Sequence, residues 1–295
     1  MFLSIDIGGS FIKYAYLNEQ LAITSKWKKP TRFFSEAQDF YDELCKGIDT
    51  EKVHCIGVSA PGVITADTTV ASKAAKTVAV MYQTNIRQEI EVRLKKPAYA
   101  INDARAAGLC EVSLGNGQAA ATSVYWLIGT GIGGAIFHGQ ELVTGADNLA
   151  GEFSHLPIAI ENGRLKGISS VTSMTALREL YQLKASEHQL LTGEEITQRY
   201  LAGEAVALQV MEEWCLNIVQ ALYVVTMFYN PEVICIGGGI SEEQWFIEKI
   251  QKLYSNEVQH VFSELVTTRI EACHYNNDAN LLGAILHAKQ QWLKE

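Results

Sequence analysis

The sequence predicts an α/β protein of two domains built on one plan, and three observations carry that reading. Its 295 residues exceed the usual size of one domain. Strand-like and helix-like apolar patterns alternate along the chain. A glycine-rich hairpin occurs near the start, at residues 2–17, and again at residues 123–138.

In order, Phe2-Leu3-Ser4-Ile5-Asp6 reads as a strand, Ile7-Gly8-Gly9-Ser10 as a tight turn and residues 11–17 as the returning strand. A helix over 35–47, a buried strand over 53–58, a helix over 86–94 and a strand over 98–101 follow. The second hairpin pairs 123–128 with 135–138 across Gly129-Thr130-Gly131-Ile132-Gly133-Gly134. Apolar periodicity then predicts helices over 173–183, 192–200 and 204–228, the last stopped by Asn230-Pro231. A buried strand at 233–236 runs into Gly237-Gly238-Gly239, and a helix over about 280–292 closes the chain. The boundary falls near 116–120, giving domains of 1–117 and 118–295, with the last helix packing back on the first.

A composition 48% hydrophobic and 19% charged describes an ordered globular chain. The net charge of −9 repels polyanions, so nucleic-acid and anionic-membrane partners are not expected, and no apolar run is long enough to span a bilayer. The first residues lack a basic start and a long apolar stretch, so the expected location is the cytoplasm. Six scattered cysteines without Cys-x-x-Cys spacing read as buried, reduced thiols.

Asp6, Gly8, Gly9, Ser10 and Lys13 combine a carboxylate, bare backbone amides, a hydroxyl and a cation, the groups that phosphate and magnesium call for; the plainer reading is an ordinary hairpin turn. Gly129, Thr130, Gly131, Gly133 and Gly134 join two strands and open no helix, so they form a second phosphate cradle rather than a dinucleotide fingerprint. No Gly-x-x-x-x-Gly-Lys-Ser/Thr run occurs. Gly237, Gly238 and Gly239 are either a helix-entry turn or backbone lying flat on a nucleotide. Asn102-Asp103 starts a helix; beyond capping it, Asp103 is a candidate general base. Glu152 and His155 can grip two hydroxyls of a sugar ring, and Pro61-Gly62 is a turn.

In this order the motifs resemble the ROK family, the grouping of repressors, open reading frames and sugar kinases, over nearly the whole chain. The resemblance implies the actin-like, hexokinase-like fold, a duplicated RNase H-like architecture with ATP and sugar meeting between two domains. It implies that the first two glycine loops hold the ATP phosphates with Mg2+, and that residues 237–239 lie by the adenosine. Pro61, Gly62, Asn102, Asp103, Glu152 and His155 would face the sugar, Asp103 as catalytic base. A homodimer is the family expectation. Repressors of the family carry an added helix-turn-helix, for which Asp6 leaves no space, so an enzyme is expected, with a sugar-binding regulator of the same family without catalysis as the alternative.

Two departures matter. Where the family has a Cys-x-Cys-Gly-x-x-Gly-Cys-x-Glu segment completing a zinc site, this chain has no cysteine between Cys110 and Cys215, so no structural zinc is expected. Ser169 stands where the family has a sugar-binding Glu near C1 and C2. A short hydroxyl leaves room there for a C1 substituent, as in a β-glucoside, or a C2 N-acetyl group, as in N-acetylmannosamine. The resemblance implies ATP-dependent phosphorylation of a hexose or hexose derivative at the 6-hydroxyl, with a glucose-like or β-glucoside substrate favoured and N-acetylmannosamine as the alternative; the pattern looks most like bacterial β-glucoside kinases.

Overall fold

The central strand of the first unit is β1 (Phe2–Ile7), buried along its whole length. Strands covered on both faces read as continuous apolar runs. β2 (Phe11–Leu17) returns antiparallel and sets Asp6 opposite Lys13. β3 (Ile23–Pro30) pairs with β2 as an edge strand, where Lys26, Lys28 and Lys29 discourage pairing with other chains. After α1 (Ala37–Cys45), β4 (Ile56–Ala60) lies parallel to β1. The strand begins at Ile56 and not at Val53: Val53 N–H is turned back to the Thr50 carbonyl, and contact with the first strand starts with His54 N–H donating to Met1 O. α2 (Ile86–Leu94), β5 (Ala98–Asn102) and α3 (Asp103–Leu114) complete the run, β5 parallel to β4.

The second hairpin is β6 (Thr122–Ile128) and β7 (Ile132–His138), with β8 (Glu141–Leu142) beyond it. A small exposed hairpin, β9 (Pro157–Glu161) and β10 (Arg164–Gly167), turns through Asn162 and Gly163, both left-handed at φ 52° and 74°. The helices α4 (Ser169–Thr172), α5 (Met174–Ala185), α6 (Gly193–Leu201) and α7 (Ala205–Tyr229) follow. α7 buries Val210, Trp214, Ile218, Leu222 and Val225 along one stripe and stops at Asn230, left-handed at φ 50°. β11 (Val233–Gly237), α8 (Gln244–Phe262) and β12 (Arg269–Ala272) finish this unit, and α9 (Ala279–Trp292) ends the chain.

These elements belong to a computed structural model describing residues 1–73, 76–186, 189–262, 265–275 and 278–295. One unit comprises Met1–Gly115, Thr144–Ala150 and Asn277–Glu295, the other Asn116–Val143 and Gly151–Asn276. The sheets run β3-β2-β1-β4-β5 and, read the same way, β8-β7-β6-β11-β12. In each, the hairpin pairs are antiparallel and the remaining pairs parallel, which is the duplication the two hairpins announced. Each unit has its own apolar core, one around Leu3, Tyr14, Phe40 and Tyr41, the other around Trp126, Trp214 and Phe246. α9 packs on β4, β1 and α3; Gly57 and Gly283 let it approach, since a Cβ on either would meet the Ala284 or Ala106 carbonyl.

Candidate active site

In the first unit the parallel register aligns Asp6 on β1 with Ser59 on β4, and Ala60 with Asn102 on β5. The polar groups of three adjacent strands therefore gather at their C-terminal ends, where open α/β sheets bind ligands. Asp6 is 5% exposed. Its Oδ1 accepts from Ser59 Oγ at 3.0 Å and Asn280 Nδ2 at 3.1 Å, and its Oδ2 lies 3.5 Å from Lys13 Nζ. The carboxylate is thus aimed by its partners and balanced by one cation.

The turn after β1 is polarised by two threonines. Thr31 Oγ1 donates to the Gly8 carbonyl and Thr77 Oγ1 to the Gly9 carbonyl, each at 2.6 Å, and Thr31 N–H donates to the Ser10 carbonyl. Gly8 N–H is used by Phe11 O. The Gly9 and Ser10 N–H groups make no hydrogen bond among the described residues. Fixing the negative ends of successive peptides inward presents their positive ends to an anion.

Asn102 caps α3: its Oδ1 accepts from Arg105 N–H at 3.1 Å, and its Nδ2 donates to the Gly62 carbonyl at 2.9 Å. That second bond draws the Pro61-Gly62 turn, with Gly62 at φ 91°, to the start of α3. Asp103, half-buried in the first turn, accepts from Ala104 N–H through Oδ1. A carboxylate there is favoured by the helix dipole. Arg105 is 4% exposed and donates to the carbonyls of Asn148 and Ala150.

The second unit repeats the plan. Gly129, Thr130 and Gly131 are exposed at the C-terminal end of β6. Their carbonyls accept from Met174 N–H, Thr175 Oγ1 and Gly129 N–H, while the Thr130 and Gly131 N–H groups have no partner among the described residues. The exposed turn is shorter than the glycine run suggested. Gly133 and Gly134 lie inside β7, opposite Leu127 and Trp126, and Gly134 is small because a Cβ would strike the Phe153 ring. Gly237 is likewise a buried strand residue pressed on Leu127 and Cys273. Only Gly238, at φ 99°, and Gly239 are exposed, at the end of β11 beside β6. Gly239 opens onto a cavity of about 530 Å³ whose walls include Met174, Gly193, Thr197 and Ile240. The α6 end of that wall is fixed by a capping box between Thr192 and Glu195.

Glu152 and His155 sit at either end of a single 3₁₀ turn, with His155 N–H donating to Glu152 O at 3.2 Å. Phe153 between them stacks on Trp126 and anchors the turn to the core. Ser169 begins α4, its Oγ 3.6 Å from where a Gly131 Cβ would stand. Among the described residues, no three His, Cys, Asp or Glu side chains cluster as metal ligands. Sequence reading missed Ser59 and Asn280 beside Asp6, the anchors Thr31, Thr77 and Thr175, and Arg105. Ser59 could have been found, since it precedes the Pro61-Gly62 turn on a buried strand; the distant threonines have no spacing to betray them.

A profile described as the ROK family matches residues 2–291. The beta-glucoside kinase of Listeria monocytogenes serovar 1/2a is 34% identical over 242 residues, 80% of this chain and 79% of that protein. A ROK family protein from Streptococcus pneumoniae TIGR4, solved with sucrose, superposes with TM-score 0.88 at 26% identity over 100% of both chains. A ROK family glucokinase from Streptomyces griseus, solved with glucose and AMPPNP, gives TM-score 0.81 at 23% identity, covering 98% of this chain and 99% of that one.

Proposed function

The chain belongs to the ROK family, and from that membership and the site's geometry we propose that it is an ATP-dependent kinase whose acceptor is a β-glucoside, phosphorylated on its 6-hydroxyl. The observation that carries the kinase reading is the pair of glycine turns. Each ends a central strand, and each has its carbonyls tied back and two N–H groups left outward. In this reading the turns at Gly8–Ser10 and Gly129–Gly131 take phosphoryl oxygens, and the cavity at Gly239 takes the nucleoside.

Asp103 accepts the proton of the attacking hydroxyl, which raises the oxygen's nucleophilicity as its bond to the γ-phosphorus forms and the bond from that phosphorus to the bridging oxygen of ADP breaks, ADP leaving. Asn102, Glu152 and His155 orient the ring so that this hydroxyl alone reaches the phosphorus. Asp6 suits magnesium, which keeps most of its waters and needs one or two carboxylates beside the substrate phosphates. Bound through water at Asp6, the ion would offset charge on the transferred group. The beta-glucoside kinase relative and the short Ser169 support a C1-substituted acceptor. The proposed location of the reaction is the cytoplasm, on the need for ATP. No helix among the described residues is long and apolar enough to cross a membrane.

The test is ADP release by wild type and Asp103→Asn with Mg-ATP and cellobiose, glucose or N-acetylmannosamine. Cellobiose is expected to give the highest kcat/KM, and the variant to lose a factor of about 100 or more. Preference for free glucose would reject the glucoside assignment; ADP release with none of the sugars would reject the kinase.

A further inference from the structure

Arg105 does work that neither capping nor the phosphate turns require. The segment Thr144–Ala150 belongs to the first unit, although Val143 before it and Gly151 after it belong to the second. It closes on itself through Ala150 N–H donating to Thr144 O at 3.1 Å, with Gly145 at φ 71° and Asn148 at φ 57° making the bends. Into this loop reaches the Arg105 guanidinium, whose Nη2 donates to Asn148 O at 2.5 Å and to Ala150 O at 3.4 Å. The side chain is 4% exposed, and a guanidinium stays charged when buried. Burying a guanidinium is costly unless its hydrogen bonds hold groups whose position matters, and two of these bonds go to this loop.

We infer that Arg105 is a positioning residue for the sugar: it fastens the loop that runs directly into Gly151 and Glu152 to the helix that begins at Asp103. This rests on the kinase reading for its meaning in catalysis. The contacts lie on the acceptor side of the reaction, so their loss should weaken sugar recognition and leave ATP recognition alone.

Arg105→Met keeps the apolar stem and removes every donor, while Arg105→Lys keeps the charge with one head group for two carbonyls. Arg105→Met is expected to raise the sugar KM by about 10- to 100-fold with the ATP KM changed by less than about 2-fold, and Arg105→Lys to recover part of the loss. Hydrogen–deuterium exchange of unliganded protein gives the second readout: exchange at 144–150 accelerates in Arg105→Met, while β1 and β4 keep wild-type protection and so certify the fold. If Arg105→Met fails to fold, Arg105→Lys carries both comparisons, with smaller changes in the same direction. Unchanged exchange at 144–150, or sugar and ATP KM rising together, would overturn the inference. If wild type phosphorylates no sugar, it is the kinase reading that falls, and the exchange comparison alone decides whether Arg105 holds the loop.

Discussion

His287, half-buried on α9, makes the stability of the first unit sensitive to acid. Burial, reinforced by the Lys294 charge, pushes its imidazole down to about 4 from an ordinary 6.5. The folded state therefore prefers neutral histidine, so its stabilising contribution is present above pH 6.5 and is lost as pH falls toward 4. Urea midpoints at pH 7 and pH 5 should show wild type losing about 1–2 kcal/mol more than His287→Gln, which has no proton to take up; equal losses would contradict this. The cysteines are quieter: burial pushes the Cys55 thiol up to about 11 and those of Cys45 and Cys215 to about 12, which keeps them protonated and slow to react. At this scale the sequence is legible in letters but not in purposes. Gly129 and Gly131 are exposed on a turn, whereas Gly134 and Gly237 are small because a ring or a neighbouring side chain occupies the space of a Cβ. A glycine-rich motif looks the same in both cases, since the atom it avoids comes from elsewhere in the chain.

α3 and α9 cross so closely that a Cβ on Gly283 would overlap the Ala106 carbonyl. Backbone cannot retreat as a side chain can, so Gly283→Ala should cost about 2–4 kcal/mol and lower the melting temperature by roughly 5–10 °C. A melt within about 1 °C of wild type would show that the helices separate freely. Because α3 begins at Asp103, the same substitution should reduce turnover before the protein unfolds. Helices with strong apolar periodicity were legible almost to the residue: 86–94 is α2, and the expected 204–228 is α7 at Ala205–Tyr229. α8 was missed although Phe246, Ile250, Tyr254 and Val258 recur every four residues, a sufficient signal. β9 and β10 escaped because their side chains are largely exposed, and only the Asn162-Gly163 pair marks the turn. The family resemblance would put zinc-binding cysteines in this stretch; here the hairpin turns through Asn162 and Gly163 and pairs β9 with β10. Stripping with a chelator and restoring Mg2+ should accordingly leave turnover and melting temperature at their starting values; a loss reversed by zinc alone would show that the hairpin is not self-sufficient.

The duplicated plan gives the molecule two sheets with matching strand order, yet the second unit carries long helices with no counterpart in the first, and α7 is the longest of them. Its inner stripe is core. Its outer side presents Leu216, Val224, Met227 and Phe228, the last 90% exposed, at spacings that keep them along one flank of the helix. The acids nearby do not isolate this flank, because Glu212 and Glu213 are already paired with Lys249 and Lys184. For this flank we propose a second copy of the same chain, the partner the family resemblance implies: under a two-fold axis a helix flank meets itself, apolar residue to apolar residue. The net charge of −9 opposes self-association only weakly at physiological salt, where charges beyond about 8 Å are screened. Light scattering should therefore give twice the chain mass of 32.6 kDa for wild type, and the mass of one chain for Phe228→Glu, which places a carboxylate where two apolar flanks would meet. A wild type that scatters as a single chain at micromolar concentration would assign the flank to some other partner. A Phe228→Glu variant that remains a dimer would move the two-fold interface to a different face.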